Sequence, residues 1–298
     1  MIAGTFAVQA SISLENARLY DDLNRFNQMM ERMVEQRVNE LSSAHNTLQK
    51  LDKNKSDFIQ VAAHELRTPL TVIKGYMGML KTASAVQSDT ALLQAMDGVL
   101  QGTDRLHQIV NSMLDVARLE TQVVTPHLEA MTLGPILRMI QKDYAEDLKT
   151  RQIMLEIDAD INSAPPMLAE SDLMKKVLDN VIVNAIKYTP DGGRINISAA
   201  RVKLDGRGEF CEVRVRDSGI GIDPANHIII FEKLYQIGKV ELHSSGRTKF
   251  KGGGPGLGLA IAAGIVKAHQ GKIWVESEGY DEEKLPGSTF FIQIPIAK

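Results

Sequence analysis

The chain has 298 residues, a net charge of −3 and 44% hydrophobic residues, which is an ordinary composition for a globular protein. This charge excludes a general attraction to nucleic acid or to an anionic membrane, and the single cysteine, Cys211, excludes an internal disulfide. No apolar run approaches the roughly 20 residues that a membrane-spanning helix needs. We therefore expect a cytoplasmic chain that is long enough for two domains and a helical rod.

The first predicted element is a long helix, because residues 14–55 contain no proline. Apolar side chains recur in it at spacings of three and four residues, first at Leu23, Phe26, Met30 and Met33, and then at Leu41, Ala44, Leu48, Leu51 and Phe58. The two runs do not share one heptad frame, which indicates a four-residue insertion. Since a single apolar strip cannot be buried alone, we expect a partner helix. A plain dimerisation rod and a signal-transmitting rod both fit.

The same helix carries the segment His64-Glu65-Leu66-Arg67-Thr68-Pro69-Leu70. His64 and Thr68 are four residues apart and so lie one turn above each other, and Pro69, which lacks an N–H, should bend the helix just after them. A nucleophilic imidazole needs a carboxylate such as Glu65 to orient its ring and accept its proton. Taken alone, the segment is more typical of a surface histidine on an amphipathic helix.

A helical hairpin is predicted around this segment. The first helix should end near Lys81, residues 82–88 should form a turn, and residues 90–119 should form a second amphipathic helix. Two antiparallel helices bury little by themselves, so a dimeric four-helix bundle is expected. Arg105 and Arg118 on the second helix are expected to be solvated or paired. A linker over residues 121–126 follows.

Beyond the linker the pattern changes to alternating helices and strands. Helices are predicted over residues 133–148, 171–188 and from Gly258 to Gly271, and strands over residues 153–157, 194–202, 210–216, 272–278 and 289–294. Helices on one face of a mixed sheet form an α+β sandwich, which is the fold expected for this half.

Four polar residues share one face of the helix over residues 171–188; they are Asn180, Asn184, Lys187 and Tyr188. Amide oxygens are hard ligands that suit a hydrated Mg²⁺ ion with phosphates. Amides on helices are common, so a purely structural role is the stronger interpretation of this segment by itself.

Two glycine-containing segments add to this pattern. Asp217 ends a predicted strand, where its carboxylate can accept a hydrogen bond from an exocyclic amine, and Gly219 and Gly221 allow the backbone to approach a planar ring; a tight turn explains them equally well. Residues 252–259 lead into the last helix, and bare N–H groups at a glycine-rich helix start form an anion site. Neither the Walker nor the Rossmann spacing is present. Residues 235–251 are expected to form a mobile lid.

From residue 56 onward, the order of these segments resembles the sensor histidine kinases of two-component signalling. Residues 64–70 resemble the phosphoacceptor box, and the nucleotide boxes have counterparts at residues 180–190, 217–222, 231–235, 254–259 and 287–290. Residues 9–23 resemble the last helix of a GAF sensor domain. The resemblance divides the chain into a GAF-like helix end (1–20), a signalling coiled coil (21–55), a dimerisation and histidine phosphotransfer domain (56–121) and a GHKL-type ATP-binding catalytic domain (127–298).

The resemblance also implies cofactors, partners and residue roles. ATP and Mg²⁺ are the implied cofactors, and the partners are a second copy of the chain and the receiver domain of a response regulator. His64 would be phosphorylated, Glu65 would be the base, and Thr68 would position water when the enzyme dephosphorylates the regulator. Asn184 would bind Mg²⁺ with help from Asn180. The other implied nucleotide contacts are Lys187, Tyr188, Asp217 at the adenine amine, Gly219, Gly221, Gly256, Leu257 and Gly258.

The chain departs from the family pattern at two places. The F box often ends in Phe-Tyr-Arg but is Leu234-Tyr235-Gln236 here, so the cation near the γ-phosphate is open among Lys233, Arg247, Lys249 and Lys251. Pro255 stands where a small hydroxyl residue is usual. Residues 280–286 lengthen a hairpin and are expected to have no chemical role. A GHKL-type ATPase and a weakly nucleotide-binding dimeric scaffold are the alternative functions.

Overall fold

The computed structural model describes residues 2–87, 89–121, 125–204, 206, 208–233, 235, 248–252 and 256–297. Its contacts divide the chain into two units, residues 1–55 and 56–298. Helix α1 (Ile2–Lys81) confirms the long first helix. In the first unit, apolar side chains of the proposed seam such as Leu23, Phe26 and Leu41 are exposed, so a single chain leaves the seam unburied. The seam positions Leu48, Leu51 and Phe58, and most side chains of residues 9–23, lie outside the described set.

The second unit starts with the predicted hairpin. The end of α1 is followed by α2 (Ser84–Gln87) and α3 (Thr90–Thr121), and the apolar contact between α1 and α3 is the cluster Ala63, Leu70, Val110 and Leu114. The prediction of a plain turn over residues 82–88 was wrong, because the Ala83 carbonyl accepts the amide of Gln87 at 3.1 Å and starts a short helix there.

The rest of the second unit contains a five-stranded mixed sheet, as predicted. Its order is β2-β4-β5-β7-β6, with β2 parallel to β4 and the other neighbours antiparallel. A separate antiparallel pair, β1 and β3, was not predicted. The strands are β1 (Glu129–Met131), β2 (Met154–Ile157), β3 (Met167–Ala169), β4 (Arg194–Leu204), β5 (Gly208–Asp217), β6 (Lys272–Glu276) and β7 (Ser288–Pro295).

Helices cover one face of this sheet. They are α4 (Leu133–Asp143), α5 (Ala145–Thr150), α6 (Ser171–Tyr188) and α7 (Gly258–Ala268), with 3₁₀ turns at Ala159–Ser163, Pro224–Asn226 and Ile229–Phe231. Fully buried side chains from α4, α6 and α7, such as Ile140, Ile182 and Ile265, share one core with Ile197 and Ile292 of the sheet. This confirms the predicted α+β sandwich.

Tertiary contacts change two predicted boundaries. The helix expected over residues 133–148 is interrupted at Tyr144, which is buried and whose hydroxyl donates to Asp179 Oδ1 at 2.7 Å. Strand β6 ends at Glu276 rather than at residue 278, because the Ser277 hydroxyl leaves the sheet to accept the Ile222 amide at 3.0 Å. Local patterns do not encode either contact.

The hairpin between β4 and β5 is longer than predicted. The ladder continues to the pair Leu204 and Gly208, whereas the sequence pattern ended the strands at residues 202 and 210. At the other end Asp217 pairs with Ile195, so the candidate adenine ligand is the last residue of a central strand. The end of α7 follows the prediction, because the Gly271 amide donates to the Val266 carbonyl at 2.9 Å.

Candidate active site

His64, Glu65 and Thr68 lie on the exposed side of α1. The opposite side of this turn is held against α3, since Ala63 is buried and Arg67 Nη2 donates to Asn111 Oδ1 at 2.7 Å. Within the described part of the chain, neither the His64 ring nor the Glu65 carboxylate has a hydrogen-bond partner. The hairpin therefore fixes the backbone under His64 and leaves the imidazole open to an incoming group.

Helix α6 separates a polar face from an apolar one. Val181, Ile182, Ala185 and Ile186 are buried in the core, while Asn180, Asn184, Lys187 and Tyr188 face a common cavity. Asn180 Nδ2 donates to the Lys176 carbonyl at 2.9 Å, and its Oδ1 faces Gly258, where an added Cβ would lie 2.8 Å from that oxygen. The helix thus presents amide oxygens beside the start of α7.

Asp217 is buried, with 4% of its surface exposed. Its Oδ1 accepts the amide of Gly219 at 2.8 Å, and its Oδ2 accepts the Ser288 hydroxyl at 2.5 Å. Burial raises the pKa of Asp217, and the hydrogen bonds from Ser288 and Gly219 act in the opposite direction. The carboxylate is thereby held in one orientation at the wall of the cavity.

The turn after Asp217 requires two glycines. A Cβ at Gly219 would lie 2.3 Å from the Tyr188 carbonyl oxygen, and one at Gly221 would lie 2.0 Å from the Gly279 carbonyl oxygen. Gly221 also has a φ of +72°, which L-residues with side chains rarely adopt. These contacts fix the turn against the end of α6.

One cavity of about 1000 Å³ joins these elements. The half that contains the five-stranded sheet contributes Asn180, Asn184, Lys187, Tyr188, Asp217, Gly221, Lys251, Gly256, Gly258, Tyr280 and Ser288, among others. The facing wall comes from α3 of the hairpin, over residues 98–115, and includes Arg105 and Asp115. At its edge, Lys176 of α6 pairs with Asp115 at 2.5 Å.

Most of the predicted nucleotide residues therefore meet at one cavity, but a few predicted site residues lie elsewhere. Leu257 belongs to the hydrophobic core, and Gly219 lies behind the turn. His64, Glu65 and Thr68 are not in the wall of the cavity. Leu234, Gln236, Arg247, Pro255 and residues 236–247 of the predicted lid lie outside the described residues.

Lys187 lines the cavity within electrostatic range of Arg105. Burial and, to a smaller extent, the positive charge of Arg105 lower the pKa of Lys187 to about 8. Arg105 is exposed, which agrees with the expected solvated charge, and it lines the cavity across from α6. Two cations on opposite walls suit a polyanionic ligand such as a triphosphate.

Sequence reasoning missed one wall of the cavity. Residues 280–286 were expected to have no chemical role, but Tyr280 lines the cavity and its hydroxyl donates to Glu282. This contact is the main cause that raises the pKa of Tyr280 to about 12. Glu282 also pairs with Lys251 at 2.5 Å. Among the described candidates for the phosphate cation, Lys251 is the one that lines the cavity. Lys233 and Lys249 are exposed.

Comparison with known proteins identifies two families along the chain. Residues 54–122 match the family model of the His Kinase A (phospho-acceptor) domain, and residues 169–298 match that of the histidine kinase-, DNA gyrase B-, and HSP90-like ATPases. Drug sensory protein A of Synechocystis is 32% identical over 76% of this chain, and the sensor histidine kinase WalK of Bacillus subtilis is 30% identical over 77%. The chain spans about a third of the length of either relative.

Solved structures share the fold. Full-length ShkA in complex with AMPPNP matches 81% of this chain and 46% of its own with a TM-score of 0.63 at 23% identity. The histidine kinase AdeS of Acinetobacter baumannii matches 79% of this chain and 98% of its own with a TM-score of 0.50 at 21% identity. Among the described residues, no helix combines the length and apolar character that crossing a membrane requires.

Proposed function

We propose, starting from the fact that this chain belongs to the histidine kinase family, that it phosphorylates its own His64 with ATP and passes the phosphoryl group to an aspartate of a response regulator. The observation that carries the proposal is the shared cavity. Residues with nucleotide-binding chemistry form one wall, and the facing wall is α3, the helix that packs against the His64 helix.

The cavity supports a specific orientation of ATP. Asp217 is fixed at the end of β5 and can accept a hydrogen bond from the adenine amine. Lys187 and Lys251 lie at the same cavity and carry the charge that phosphates need. The oxygens of Asn184 and Asn180 are hard ligands, so these two side chains fit a Mg²⁺ ion that keeps several waters. When bound, Mg²⁺ would neutralise charge on the phosphates.

The phosphoryl transfer itself needs little from the protein beyond positioning. One nitrogen of the His64 ring attacks the γ-phosphorus, and the bond between that phosphorus and the oxygen bridging to the β-phosphate breaks, which releases ADP. Glu65 accepts the proton from the other ring nitrogen. In the second reaction an aspartate carboxylate of the regulator attacks the phosphorus, the P–N bond breaks, and the imidazole recovers its proton.

The position of His64 on α1 defines what must happen before the first step. The cavity opens on α3 rather than on His64, so the ring must reach the γ-phosphate through a change in the orientation of the catalytic domain at the linker over residues 121–126, or from the second copy of a homodimer. Exposed apolar residues on the hairpin, such as Leu66, Ile73 and Leu106, support the dimer. We also propose that the protein dephosphorylates the regulator, with Thr68 positioning the water. The proposed location is the cytoplasm.

The test is incubation of the protein and of His64→Gln with ATP labelled at the γ-phosphate. The wild-type protein should acquire an acid-labile, base-stable label, and His64→Gln should acquire none. His107→Gln on the hairpin is the matched control and should label normally. Label retained by His64→Gln contradicts the assignment of His64. ATP hydrolysis without any phosphoprotein favours the ATPase alternative, and an ATP affinity in the millimolar range or weaker favours the scaffold.

A further inference from the structure

Arg151 is an almost fully buried arginine that lies outside the motifs described above. Its guanidinium makes four hydrogen bonds: Nε to Asp191 Oδ1 at 2.8 Å, Nη1 to the carbonyls of Ile186 at 2.6 Å and Thr248 at 2.7 Å, and Nη2 to the Thr189 carbonyl at 2.7 Å. A buried guanidinium with this many acceptors is held in one geometry, because each donor has a fixed direction.

Two of these bonds complete the end of a helix. The carbonyls of Ile186 and Thr189 belong to the last turn of α6, where backbone oxygens lack partners within the helix and where a cation is favourable. Lys187, which lines the cavity, lies between them in sequence. Arg151 therefore fixes the stretch of α6 from which Lys187 enters the cavity.

The bond to Thr248 reaches a second part of the chain. Residues 248–252 precede α7 and carry Lys251, which also lines the cavity. The Lys251 amide donates to the Lys187 carbonyl at 2.9 Å, which ties the two lysines directly through the backbone. Lys251 holds a positive φ of 51° in this tie. Since non-glycine residues rarely adopt that conformation, the surrounding contacts must maintain it.

We propose that Arg151 is a positioning residue for the phosphate groups of the nucleotide, because its guanidinium fixes the spacing between Lys187 and Lys251. This inference rests on the proposed function, since it assigns the two lysines to the phosphates of ATP. Arg151 does not line the cavity; it acts through the backbone of both segments. Asp217, at the adenine end, receives no hydrogen bond from Arg151 among the described residues.

The test compares the affinities for ATP and for adenosine in the full chain, by competition against a fluorescent nucleotide. Arg151→Lys keeps the charge, but a single ammonium cannot span the acceptors of three segments. We expect this variant to lower the affinity for ATP about tenfold, the loss typical of one charged hydrogen bond. The affinity for adenosine should stay unchanged. Arg201→Lys is the matched control, because Arg201 pairs with Glu209 at 2.8 Å on an exposed strand, and it should change neither affinity.

A second readout separates positioning from general stability. Arg151→Lys should speed hydrogen exchange at the Lys251 amide and leave that of Val213, in the centre of the sheet, as in the wild type. Faster exchange at both sites, or equal losses for ATP and adenosine, would assign Arg151 to folding alone and overturn the proposal. An unchanged ATP affinity would overturn it as well.

A milder variant keeps the inference testable if Arg151→Lys does not fold. Asp191 is largely exposed and accepts the Nε bond, so Asp191→Asn removes the opposite charge and loosens the guanidinium, while its amide oxygen can still accept that bond. We expect the affinity for ATP to fall two- to threefold and the affinity for adenosine to stay unchanged. Equal ATP affinities for wild type and Asp191→Asn would then overturn the inference. Failure of the wild-type chain itself to bind ATP would instead contradict the proposed function.

Discussion

The helical hairpin and the catalytic sheet differ in how much apolar surface they bury within one chain. In the hairpin, the cluster that joins α1 to α3 consists of Ala63, Leu70, Val110 and Leu114. The catalytic half has a much larger continuous core, in which side chains such as Ile182 are fully buried. Each hairpin helix instead leaves large apolar residues exposed, Leu106 with 53% of its surface.

The difference separates the two halves of the reaction. The proposed nucleotide residues lie in the half whose core one chain completes, so we expect their geometry not to depend on a partner. His64 lies on an element whose exposed apolar residues we expect a second chain to bury, because two helices cannot hide their apolar faces alone. A change in the pairing of the hairpin can therefore alter access to His64 while leaving the nucleotide site intact.

The largest expected effect comes from a matched pair of core substitutions. Ile182→Ala removes a fully buried side chain of α6 and should cost about 2–5 kcal/mol of stability, with a lower unfolding temperature at every protein concentration. Leu106→Ala should lower the unfolding temperature of the hairpin only as far as the dimer contributes, so its effect should shrink on dilution as both proteins become monomeric. Circular dichroism melts over a range of protein concentrations measure both.

These melts can also contradict the proposed difference between the hairpin and the catalytic core. A concentration-dependent loss in Ile182→Ala would mean that the catalytic core needs the partner chain. No loss in Leu106→Ala at any concentration would remove Leu106 from the proposed dimer contact. ATP affinity serves as a control, because Leu106→Ala should leave it unchanged.

The next effect concerns the adenine end of the cavity. In Asp217→Asn, an NH2 group, which donates hydrogen bonds, replaces one carboxylate oxygen. That oxygen accepts either the Ser288 hydroxyl or the Gly219 amide in the wild type. We expect ATP affinity to fall by about ten- to a hundredfold, which corresponds to roughly 1–3 kcal/mol for a buried group left without a partner. Calorimetric titration measures it, and Asp223→Asn, on the exposed turn nearby, should bind ATP normally. Equal affinities for Asp217→Asn and wild type would exclude Asp217 as an adenine ligand.

The sequence predicted the elements better than it predicted the contacts between them. The polar face of α6 and the position of Asp217 at a strand end were accessible, because helical periodicity and strand alternation are local patterns. The interruption at Tyr144 was not accessible, since it accompanies a hydrogen bond to Asp179, 35 residues away.

The cavity wall shows the same limit. Tyr280 and Arg105 come from a hairpin extension and from a different helix, and nothing near them in sequence indicates a ligand. Arg151 could be noticed only after folding, because its acceptors are backbone carbonyls, which every sequence has. The placement of Lys187, Lys251 and Arg105 at one cavity is a property of the tertiary structure, whereas composition gives only a net charge of −3.

A smaller effect is expected on the pH dependence of nucleotide binding. Since the pKa of Lys187 is lowered to about 8, ATP, which favours the protonated amine, should bind more weakly as the pH rises through about 8. Arg105→Gln removes a positive charge that lowers this pKa and should move the decline to higher pH. Titrations between pH 7 and pH 10 measure the midpoint, and an unmoved midpoint would show that Arg105 does not act on Lys187.

The free energy of unfolding should also depend on Lys187, but it should rise with pH where the affinity for ATP falls. The unfolded chain, with lysine at 10.5, binds more protons than the folded one between about pH 8 and 10.5, so the contribution of Lys187 to stability rises with pH in that window. Lys187→Met should abolish this rise. Urea unfolding of both proteins at pH 7.5 and 10 gives the comparison, and a rise that persists in Lys187→Met would have to come from other groups.

The smallest effect should come from the ion pairs along the hairpin. Lys74 Nζ lies 2.7 Å from Asp104 Oδ1, but both side chains are about half exposed, so solvent weakens their attraction and Lys74→Met should cost less than about 1 kcal/mol. Melts of Lys74→Met beside those of Leu106→Ala test whether apolar burial or surface charge holds the hairpin together. If Lys74→Met destabilised it more than Leu106→Ala, charge pairing rather than the apolar seam would define the region, and the contrast with the catalytic core would lose its basis.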